Sequence, residues 1–293
     1  MSSRTVTRRR PQRRQRSPDI YKSDEKPTWC PGCGDFGVLN SVYRALRTQG
    51  IPPHQVVCVS GIGCSSRIPY FINAYGFHGI HGRTMPIATG VRLARPDLKT
   101  LVFGGDGDAF AIGAGHFVHA MRRNVDLCYV VMDNATYGLT KGQTSPTSGT
   151  GFVTLSTPHG NPEQALNPML LALASGATFV ARGFSADPQK LADLIVEGMN
   201  HKGFAFIDVY SPCVVFNKVN TFKYYKEQTE PLPKDHDPSS LPDAMQLAIS
   251  QDPLYLGLFH QREATTFEDH MNADAPSQSE RHEQLEQLFD RFS

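Results

Sequence analysis

The chain of 293 residues has a formal net charge of +1, with 40% hydrophobic and 19% charged residues. This composition is typical of a soluble globular protein with a sizeable core, in one large domain or two smaller ones. The longest uncharged stretch, residues 165–181, contains a proline and a glycine; this pattern predicts a helix followed by a strand and excludes a membrane span.

The first 26 residues are strongly basic, with nine Lys or Arg against three Asp or Glu. Because they offer almost nothing apolar to bury, we predict a disordered, solvated tail over residues 1–26 rather than a nucleic-acid arm or a transit peptide. The tail lacks the hydrophobic region of a secretory signal, so we expect a cytoplasmic protein with reduced cysteines. The remaining chain has 20 basic and 25 acidic residues and is mildly acidic.

The motif WCPGCG at residues 29–34 brings Cys30 and Cys33 close together. Such a pair fits a structural zinc site, a redox dithiol or half of an iron-sulfur site. The other four cysteines stand singly at positions 58, 64, 128 and 213. Any metal site must therefore be assembled from distant parts of the chain.

From residue 55 onward, apolar runs typical of buried strands alternate with helical segments. Strands are predicted within QVVCVS, KTLVFGG, VDLCYVVMD, ATFVAR and GFAFIDVY. Helices are predicted after the GDG turn, from near Asp108, and over DPQKLADLIVEGMN, where an Asp serves as the cap. This alternation predicts an α/β fold, a parallel sheet with helices on both faces, with ligands beyond the carboxyl ends of the strands.

The last part of the chain has a different composition. From about residue 218 it becomes polar and contains several prolines, and it ends in a predicted helix over HEQLEQLFDRF. We expect residues 229–293 to form a C-terminal extension that packs against a partner.

Two polar residues follow neighbouring predicted strands. Asp106 lies between Gly105 and Gly107 at one strand end, and Asn134 follows at the next strand end, 28 residues later. Adjacent parallel strands would bring these ends together. One carboxylate, one amide oxygen and one loop carbonyl would suit Mg²⁺, which shares its remaining ligands with phosphates, and the glycines would let the backbone approach those phosphates.

The stretch from GDGDAF to DNATYGLT resembles the GDG-to-NN signature of thiamine diphosphate enzymes, in which the Asp and the second Asn hold the metal. Here Asp133 replaces the first Asn, while Asn134 keeps the ligand position. Together with WCPGCG, GIGCSSR and HGIHGR, residues 28 to about 228 resemble the β subunit of a 2-oxoacid:ferredoxin oxidoreductase. The resemblance implies the thiamine diphosphate-binding fold, and we place this domain, with an iron-sulfur site, at residues 27–228.

The resemblance also implies individual binding roles. Asp106, Asn134 and the carbonyl of Thr136 would hold Mg²⁺. Contacts to thiamine diphosphate are implied at Ile62, Gly63, Cys64, Ser65, His81, Gly105, Asp106, Gly107, Gly138 and Leu139. For His78 and Tyr137 a structural role is the simpler interpretation. The polar segment KGQTSPTS is hypothesised to be a flexible closing or docking loop.

The cysteines are assigned by the same resemblance. A four-iron, four-sulfur (4Fe-4S) cluster is implied on Cys30, Cys33, Cys64 and Cys213, at a spacing unlike that of the ferredoxin motifs. Cys58 and Cys128 lie within apolar strands and are interpreted as small buried side chains. Arg67 is implied to bind the distal carboxylate of a dicarboxylic 2-oxoacid. We therefore expect 2-oxoglutarate as substrate, with pyruvate or a broader 2-oxoacid range as the alternative.

A cluster beside thiamine diphosphate implies an oxidative reaction. A 2-oxoacid loses CO₂, its electrons pass one at a time to the cluster and then to ferredoxin, and coenzyme A takes the acyl group as succinyl-CoA. The reverse reaction would fix CO₂. A non-oxidative thiamine lyase or synthase is an alternative that leaves the four cysteines without a role. A non-catalytic electron-transfer or zinc-stabilised subunit leaves Asp106 and Asn134 without one.

The chain also implies a partner. Thiamine enzymes use a Glu on a separate pyrimidine-binding domain, and we expect this chain to be too short to contain that domain as well. The resemblance places the Glu on a larger α subunit, so we expect an αβ pair, or two such pairs together, that binds coenzyme A, a 2-oxoacid and ferredoxin. We expect no nucleic-acid partner.

Overall fold

The computed structural model describes residues 19–272 and 278–292, which are built around one eight-stranded sheet. Its strands are β1 (Val56–Ser60), β2 (Tyr75–His78), β3 (Lys99–Gly105), β4 (Leu127–Asp133), β5 (Phe179–Phe184), β6 (Phe204–Tyr210), β7 (Thr229–Pro231) and β8 (Leu254–Gln261). The order across the sheet is β2-β1-β3-β4-β6-β5-β8-β7. Every neighbouring pair is parallel except β5 and β8. The predicted parallel sheet is thus confirmed, with one antiparallel addition.

Helices cover both faces of the sheet, and successive strand side chains point to opposite faces. The described helices are α1 (Asp35–Gln49), α2 (Ile68–Phe71), α3 (Thr84–Ala94), α4 (Asp106–Phe110), α5 (Ala114–Arg122), α6 (Pro168–Ala174), α7 (Pro188–Asn200), α8 (Phe222–Gln228), α9 (Leu241–Ile249), α10 (Phe267–Asn272) and α11 (Gln278–Asp290). Leu101 and Val130 pack toward α1 and α7, whereas Val102 and Val131 pack toward α3, α5 and α6. Because helices cover both faces of the sheet at its centre, the inner strands β1, β3, β4, β5 and β6 are buried and mostly apolar.

Local signals in the sequence determine where several helices begin and end. Helix α7 begins as predicted, since the Asp187 side chain accepts a hydrogen bond from the amide of Lys190. Helix α1 ends at Gly50, which takes the left-handed conformation at φ 64°.

None of the helices within the described ranges has the length and apolar character needed to cross a membrane.

The predicted disordered tail extends too far. Residues 1–18 lie outside the described ranges, but residues 19–26 are ordered against the domain. Tyr21 is 3% exposed, Lys22 forms a β-bridge with Ile72, and Asp19 pairs with Arg47 at 2.8 Å. Tyr21 provides a buried apolar contact, which a prediction based on the basic composition of this region does not take into account.

The C-terminal extension is more closely integrated than the sequence predicted. Strand β8 pairs antiparallel with β5 and so extends the main sheet, and α9 packs against α6. Phe259 of β8 is fully buried. Residues 229–261 therefore complete the core of this chain, while the packing of the extension against a partner stays a prediction.

The segment after GDG also differs from its predicted form. A five-residue helix, α4, begins at Asp106 itself rather than near Asp108, and the longer helix α5 begins only at Ala114. Asp106 and Asp108 therefore lie on one helical turn directly beyond β3. The two carboxylates have different partners: Asp106 meets the Thr147 hydroxyl, whereas Asp108 accepts from backbone amides.

Helix α1 lies so close to the end of β5 that one glycine position tolerates no side chain. A Cβ at Gly37 would lie 2.0 Å from the carbonyl oxygen of Ser185. Gly-to-Ala changes in helices usually stabilise by about 0.5–1 kcal/mol, but this overlap should reverse the sign. We expect Gly37→Ala to destabilise the fold by about 1–3 kcal/mol, measured as a lower midpoint in thermal unfolding.

The matched control is Gly90→Ala in α3, where an added Cβ would meet nothing within 4 Å. This variant should raise the stability slightly, by about 0.5–1 kcal/mol. Equal effects of both substitutions would contradict the proposed close approach of α1 to β5.

Candidate functional site

A cavity of about 480 Å³ opens at the carboxyl edge of the sheet, beyond β1, β3 and β4. The turns after these strands line it, as expected for ligand sites in α/β folds. All ten residues predicted to contact the cofactor line this one cavity: Ile62, Gly63, Cys64, Ser65, His81, Gly105, Asp106, Gly107, Gly138 and Leu139. Asn134 and Thr136 also line it. The structure thus brings these residues together, while their individual roles stay predictions.

Asp106 and Asn134 are neighbours, as their positions on adjacent strands predicted. Strands β3 and β4 pair in parallel, with Gly105 opposite Met132. The backbone amide of Asn134 donates a hydrogen bond to the Asp106 carboxylate. The Asn134 side-chain oxygen accepts a hydrogen bond from the amide of Thr136 at 3.1 Å, which holds this loop in a tight turn.

A second carboxylate lies beside Asp106. The Thr147 hydroxyl is 2.8 Å from Oδ2 of Asp106 and 2.8 Å from Oδ1 of Asp133. A hydroxyl has one proton to donate, so it can satisfy only one of two ionised carboxylates. Burial, and then the charge of Asp133, raise the pKa of Asp106 well above its usual range. The pair therefore favours a cation, and carboxylate and amide oxygens are the ligands that Mg²⁺ prefers.

Asp133 itself takes the place of the Asn in the motif without distorting the turn. Its Oδ1 accepts a hydrogen bond from the amide of Ala135 at 3.1 Å. An Asn side chain presents the same acceptor oxygen, so the two residues are interchangeable in this contact. Asp133 therefore makes the contact in this turn that an Asn would make at the same position.

The glycines of GDG bring the backbone close to neighbouring loops. A Cβ at Gly107 would lie 2.3 Å from the Tyr137 ring, and a Cβ at Gly105 would lie 2.7 Å from the Ser65 hydroxyl. The Tyr137 hydroxyl donates to the carbonyl of Gly107 at 3.1 Å. Tyr137 thus packs as interpreted and also lines the cavity. The bare backbone and the acidic pair fit a bound diphosphate with its metal ion.

Asp108 is a central residue of the site that the sequence did not identify. Its carboxylate, 3% exposed, accepts hydrogen bonds from the amides of Ile62 at 3.0 Å and Gly82 at 2.8 Å. It also accepts from the Thr84 hydroxyl at 2.8 Å and lies 3.0 Å from Nδ1 of His81. One side chain thus joins the turns after β1 and β2 to the start of α3. Its place two residues after Asp106, on the same helical turn, is the only signal that could have suggested it.

The two histidines of HGIHGR have different positions. His81 lines the cavity, and with Nδ1 engaged by Asp108 its Nε2 is free of described partners. His78 Nδ1 lies 3.1 Å from the Ser60 hydroxyl and 2.9 Å from the carbonyl of Ser66. His78 therefore braces the turn after β1, in agreement with its structural interpretation.

The polar segment after residue 141 is fixed by hydrogen bonds rather than left free. The Ser148 hydroxyl donates to the carbonyl of Ala135 at 2.7 Å and also accepts from the amide of Ser145 at 2.8 Å. Both serines are buried. The hypothesis of a flexible closing loop is wrong for this part of the segment, which supports the Asp106 and Asn134 turn from behind.

The four cysteines assigned to a cluster converge beside the cavity. A Cβ at Gly138 would lie 3.6 Å from Sγ of Cys213 and 3.8 Å from Sγ of Cys64. The Cys33 thiol is close enough to Cys64 and Cys213 for their charges to raise its pKa. Cys30 affects the pKa of Cys64 in the same way. Burial raises the pKa of the Cys64 thiol to about 11 and that of Cys33 further still.

Two residues of WCPGCG hold this arrangement. The Trp29 indole donates a hydrogen bond to the carbonyl of Cys64 at 2.7 Å. The amide of Gly34 donates to the carbonyl of Pro212 at 3.1 Å, and a Cβ at Gly34 would lie 2.5 Å from the Ser211 hydroxyl. The motif therefore connects the first cysteine pair to both single cysteines, which is why it needs Trp and Gly at these places.

The four cysteines stay the predicted ligands of a 4Fe-4S cluster. In the part of the chain that the structure describes, no three His, Cys, Asp or Glu side chains are arranged to hold one metal ion. A 4Fe-4S cluster is larger than an ion, so its four thiolates stand further apart. Cys58 and Cys128 lie apart from this group, at 0% and 1% exposure inside β1 and β4, which confirms their interpretation as buried apolar side chains.

Arg67 lies beside this group rather than in the cavity lining. Its charge acts on the Cys64 thiol, and its Nη1 donates to the Thr28 hydroxyl at 2.9 Å. The predicted contact of Arg67 with a substrate carboxylate stays a prediction. Arg83 likewise lies outside the lining and donates to the carbonyl of Gly82 at 3.3 Å.

Family models match most of the chain. Residues 61–209 match the model of the thiamine pyrophosphate enzyme C-terminal TPP-binding domain. Residues 213–275 match the model of the C-terminal part of the pyruvate ferredoxin oxidoreductase β subunit. The first range begins at the turn after β1, contains β2 to β5 and ends within β6, and the second contains β7 and β8.

Individual proteins are also similar over most of the chain. A 2-oxoacid:ferredoxin oxidoreductase subunit β of Saccharolobus solfataricus is 44% identical over 85% of this chain and 87% of its own. The 2-oxoglutarate oxidoreductase subunit KorB of Mycobacterium tuberculosis is 45% identical over 72% of this chain and 56% of its own. A solved 2-oxoglutarate:ferredoxin oxidoreductase from Magnetococcus marinus, with 2-oxoglutarate, coenzyme A and succinyl-CoA bound, superposes with a TM-score of 0.86 at 46% identity, over 90% of this chain and 91% of that one.

Proposed function

The chain belongs to the family of 2-oxoacid:ferredoxin oxidoreductase β subunits, and from this premise we propose that its enzyme acts on 2-oxoglutarate. The reaction converts 2-oxoglutarate and coenzyme A to succinyl-CoA and CO₂, with release of one proton and transfer of two electrons to ferredoxin. Support comes from the relatives named for 2-oxoglutarate and from the similar structure that contains this substrate. When reduced ferredoxin is plentiful, the same enzyme would run in reverse and fix CO₂.

The cavity is the proposed binding site for thiamine diphosphate, which, when bound, supplies the carbon centre that reacts with the keto group of the substrate. Asp106, Asn134 and the carbonyl of Thr136 would hold Mg²⁺ on its diphosphate. The Gly105 and Gly107 backbone would approach the phosphate oxygens closely. The observation that carries this proposal is that the buried Asp106 and Asn134 line one cavity beside the Gly105 and Gly107 backbone, which has no side chains.

Electron transfer is assigned to the cysteine group. Cys30, Cys33, Cys64 and Cys213 would hold a 4Fe-4S cluster, whose role is to take electrons one at a time. Cys64 lines the cavity and is also part of the cysteine group, so electrons have a short path between the two centres. This proximity favours an oxidoreductase over a thiamine lyase, which has no use for a cluster.

We propose that the active site is completed by an α subunit, which supplies the Glu that activates the aminopyrimidine. The expected assembly is an αβ pair or two such pairs. The purified β chain alone should therefore not reduce ferredoxin in the presence of a 2-oxoacid.

The function is tested with the chain purified anaerobically together with its α subunit. Either 2-oxoglutarate or pyruvate is added without coenzyme A, and the visible absorbance and the radical EPR signal are followed. We expect bleaching with 2-oxoglutarate. Bleaching with pyruvate alone would keep the enzyme class and reject the substrate, whereas no bleaching with either would reject the oxidoreductase.

Arg67 provides a test of substrate choice. If its guanidinium binds the distal carboxylate, Arg67→Gln should lower kcat/KM for 2-oxoglutarate about 10- to 150-fold, as expected for loss of a hydrogen bond to a charged group. Activity on pyruvate, which lacks that carboxylate, should change by less than about twofold. Steady-state rates on both substrates measure the difference.

The matched control is Thr28→Val, which removes the described partner of Arg67 and keeps the guanidinium. It should leave the preference between the two substrates unchanged. Equal losses of Arg67→Gln on 2-oxoglutarate and pyruvate would mean that Arg67 supports the cysteine turn instead of the substrate.

A further inference from the structure

The cysteine group comes nearest to solvent at one residue. Cys30 is exposed, whereas Cys33, Cys64 and Cys213 are half-buried. The loop that carries Cys30 turns at Gly32, whose Cβ position lies 3.8 Å from the Val214 side chain. The segment that follows Cys213 therefore lies beside Cys30 and forms part of the same surface.

The chain segments around the four cysteines carry charge of one sign. Residues 26–34, 61–67, 137–143 and 212–219 contain four ionised groups: Lys26, Arg67, Lys141 and Lys218. None of the four forms an ion pair with a carboxylate of the described residues. The carboxyl closest in sequence after these segments, Asp35, is fully buried, and Asp24 and Glu25 precede the first of them. The body as a whole is mildly acidic, so this concentration of cations is local.

Contacts place two of these lysines next to the cysteines. The Lys218 ammonium donates to the carbonyl of Val214, one residue after Cys213. The amide of Lys141 donates at 3.2 Å to the carbonyl of Gly138, the glycine that faces Cys64 and Cys213. Both side chains are exposed.

Apolar side chains lie in the same segments. Val215 is 42% exposed and Val219 is 59% exposed. A small apolar centre with a charged rim is usual for protein interfaces, and electron-transfer complexes are at the low end of interface size. We call the surface formed by Cys30, Pro31, Lys141, Val215, Lys218 and Val219 the Cys30 surface.

We propose that the Cys30 surface is the docking site of an acidic electron-carrier protein, which takes electrons from the cluster at its most exposed edge. This proposal rests on the proposed function and identifies where the ferredoxin of that reaction binds. Opposite charge would speed encounter at low ionic strength, while the exposed valines would give contact area once the proteins meet.

The test uses the assembled enzyme with its cluster, reduced by dithionite and then freed of excess reductant. It is mixed in a stopped-flow instrument with an oxidised ferredoxin of net negative charge, and the rate of electron transfer is followed at several salt concentrations. We expect the double variant Lys141→Glu/Lys218→Glu to transfer electrons about tenfold or more slowly at low salt. The difference should shrink as salt screens the charges.

Two controls make the result specific. Lys234→Glu reverses an exposed charge after β7, where the chain runs along β8 away from the edge of the sheet that carries the cavity. This variant should change the rate by less than about twofold. Lys218→Gln removes one charge without reversing it and should give an intermediate loss. Iron and sulfide content establish that each variant contains its cluster.

The outcomes separate this proposal from the proposed function. Wild-type transfer rates in the double variant at every salt concentration, or an equal loss in Lys234→Glu, would overturn the docking site. Because dithionite supplies the electrons, the result does not depend on the 2-oxoacid. Failure of 2-oxoglutarate to bleach the wild-type cluster would count against the proposed function alone.

Discussion

Asp106→Asn in the assembled enzyme is expected to lower 2-oxoglutarate-dependent activity by at least about 100-fold. The substitution keeps the shape of the side chain and an oxygen that accepts from the Thr147 hydroxyl and the Asn134 amide. It removes the charge that Mg²⁺ requires beside the diphosphate. Calorimetric titration with thiamine diphosphate and Mg²⁺ should show a similar loss of affinity.

The same variant should have the opposite effect on the unloaded protein. Burial raises the pKa of Asp106, which means that the folded state disfavours its ionised form. A neutral Asn removes that penalty, so without cofactor Asp106→Asn should unfold at a higher temperature than the wild type near pH 8. Adding thiamine diphosphate with Mg²⁺ should stabilise the wild type and leave the variant nearly unchanged.

Asp133→Asn is the matched control, since it neutralises the other acid of the pair. Asn keeps the acceptor for Ala135 and restores the residue usual in the thiamine diphosphate motif. We expect activity within about threefold of the wild type. If Asp133→Asn proved as damaging as Asp106→Asn, the assignment of the metal to Asp106 and Asn134 would be wrong.

Cys64→Ser is expected to reduce ferredoxin reduction by at least about 1,000-fold. Serine is a poor ligand for iron, and Cys64 lies between the cavity and the other cysteines. Iron and labile sulfide analysis should show loss of the cluster. Thiamine diphosphate binding should persist, because serine keeps the size of this side chain in the cavity wall and the Asp106 turn is unchanged.

A further readout distinguishes loss of the cluster from general damage. Without a route for electrons, the enzyme can still lose CO₂ from 2-oxoglutarate but cannot oxidise the remainder, so slow release of an aldehyde should replace formation of the thioester. The control is Cys58→Ala, a buried cysteine outside the group. It should cost about 1 kcal/mol in stability and keep both the iron and the electron transfer. An iron-replete Cys64→Ser enzyme with normal ferredoxin rates would refute the ligand assignment.

Much of this architecture could be predicted because burial leaves a clear pattern. Strands buried on both faces must be apolar along their length, so β1, β3 and β4 were recognisable from short runs. The neighbouring positions of Asp106 and Asn134 followed from the rule that consecutive parallel strands end at one edge. The cysteine assignment depended on resemblance, because four ligands spread over residues 30–213 have no informative spacing.

Other features were missed because they depend on contacts between distant residues. In the sequence, Asp108 is an ordinary carboxylate at a helix start, whereas in the structure it meets four donors from the turns after β1 and β2 and the start of α3. The burial of Tyr21 could not be predicted from its basic segment. It depends on a distant contact, in which the Tyr21 hydroxyl donates to the carbonyl of Ile51. Strand β8 could not be assigned to the sheet because an antiparallel strand added beside β5 has no place fixed by the alternation of strands and helices.

The amino-acid sequence by itself determined the α/β class, the sheet with covered faces and the residue types at the carboxylate, glycine and cysteine motifs, because these depend on residue type and local periodicity. Only the tertiary structure decided how the motifs meet: the shared hydroxyl between Asp106 and Asp133, the joining of two turns to the start of α3 by Asp108, and the exposed edge of the cysteine group at Cys30. Such contacts join residues far apart in sequence, and their geometry is set by packing of the whole core, which no local pattern records.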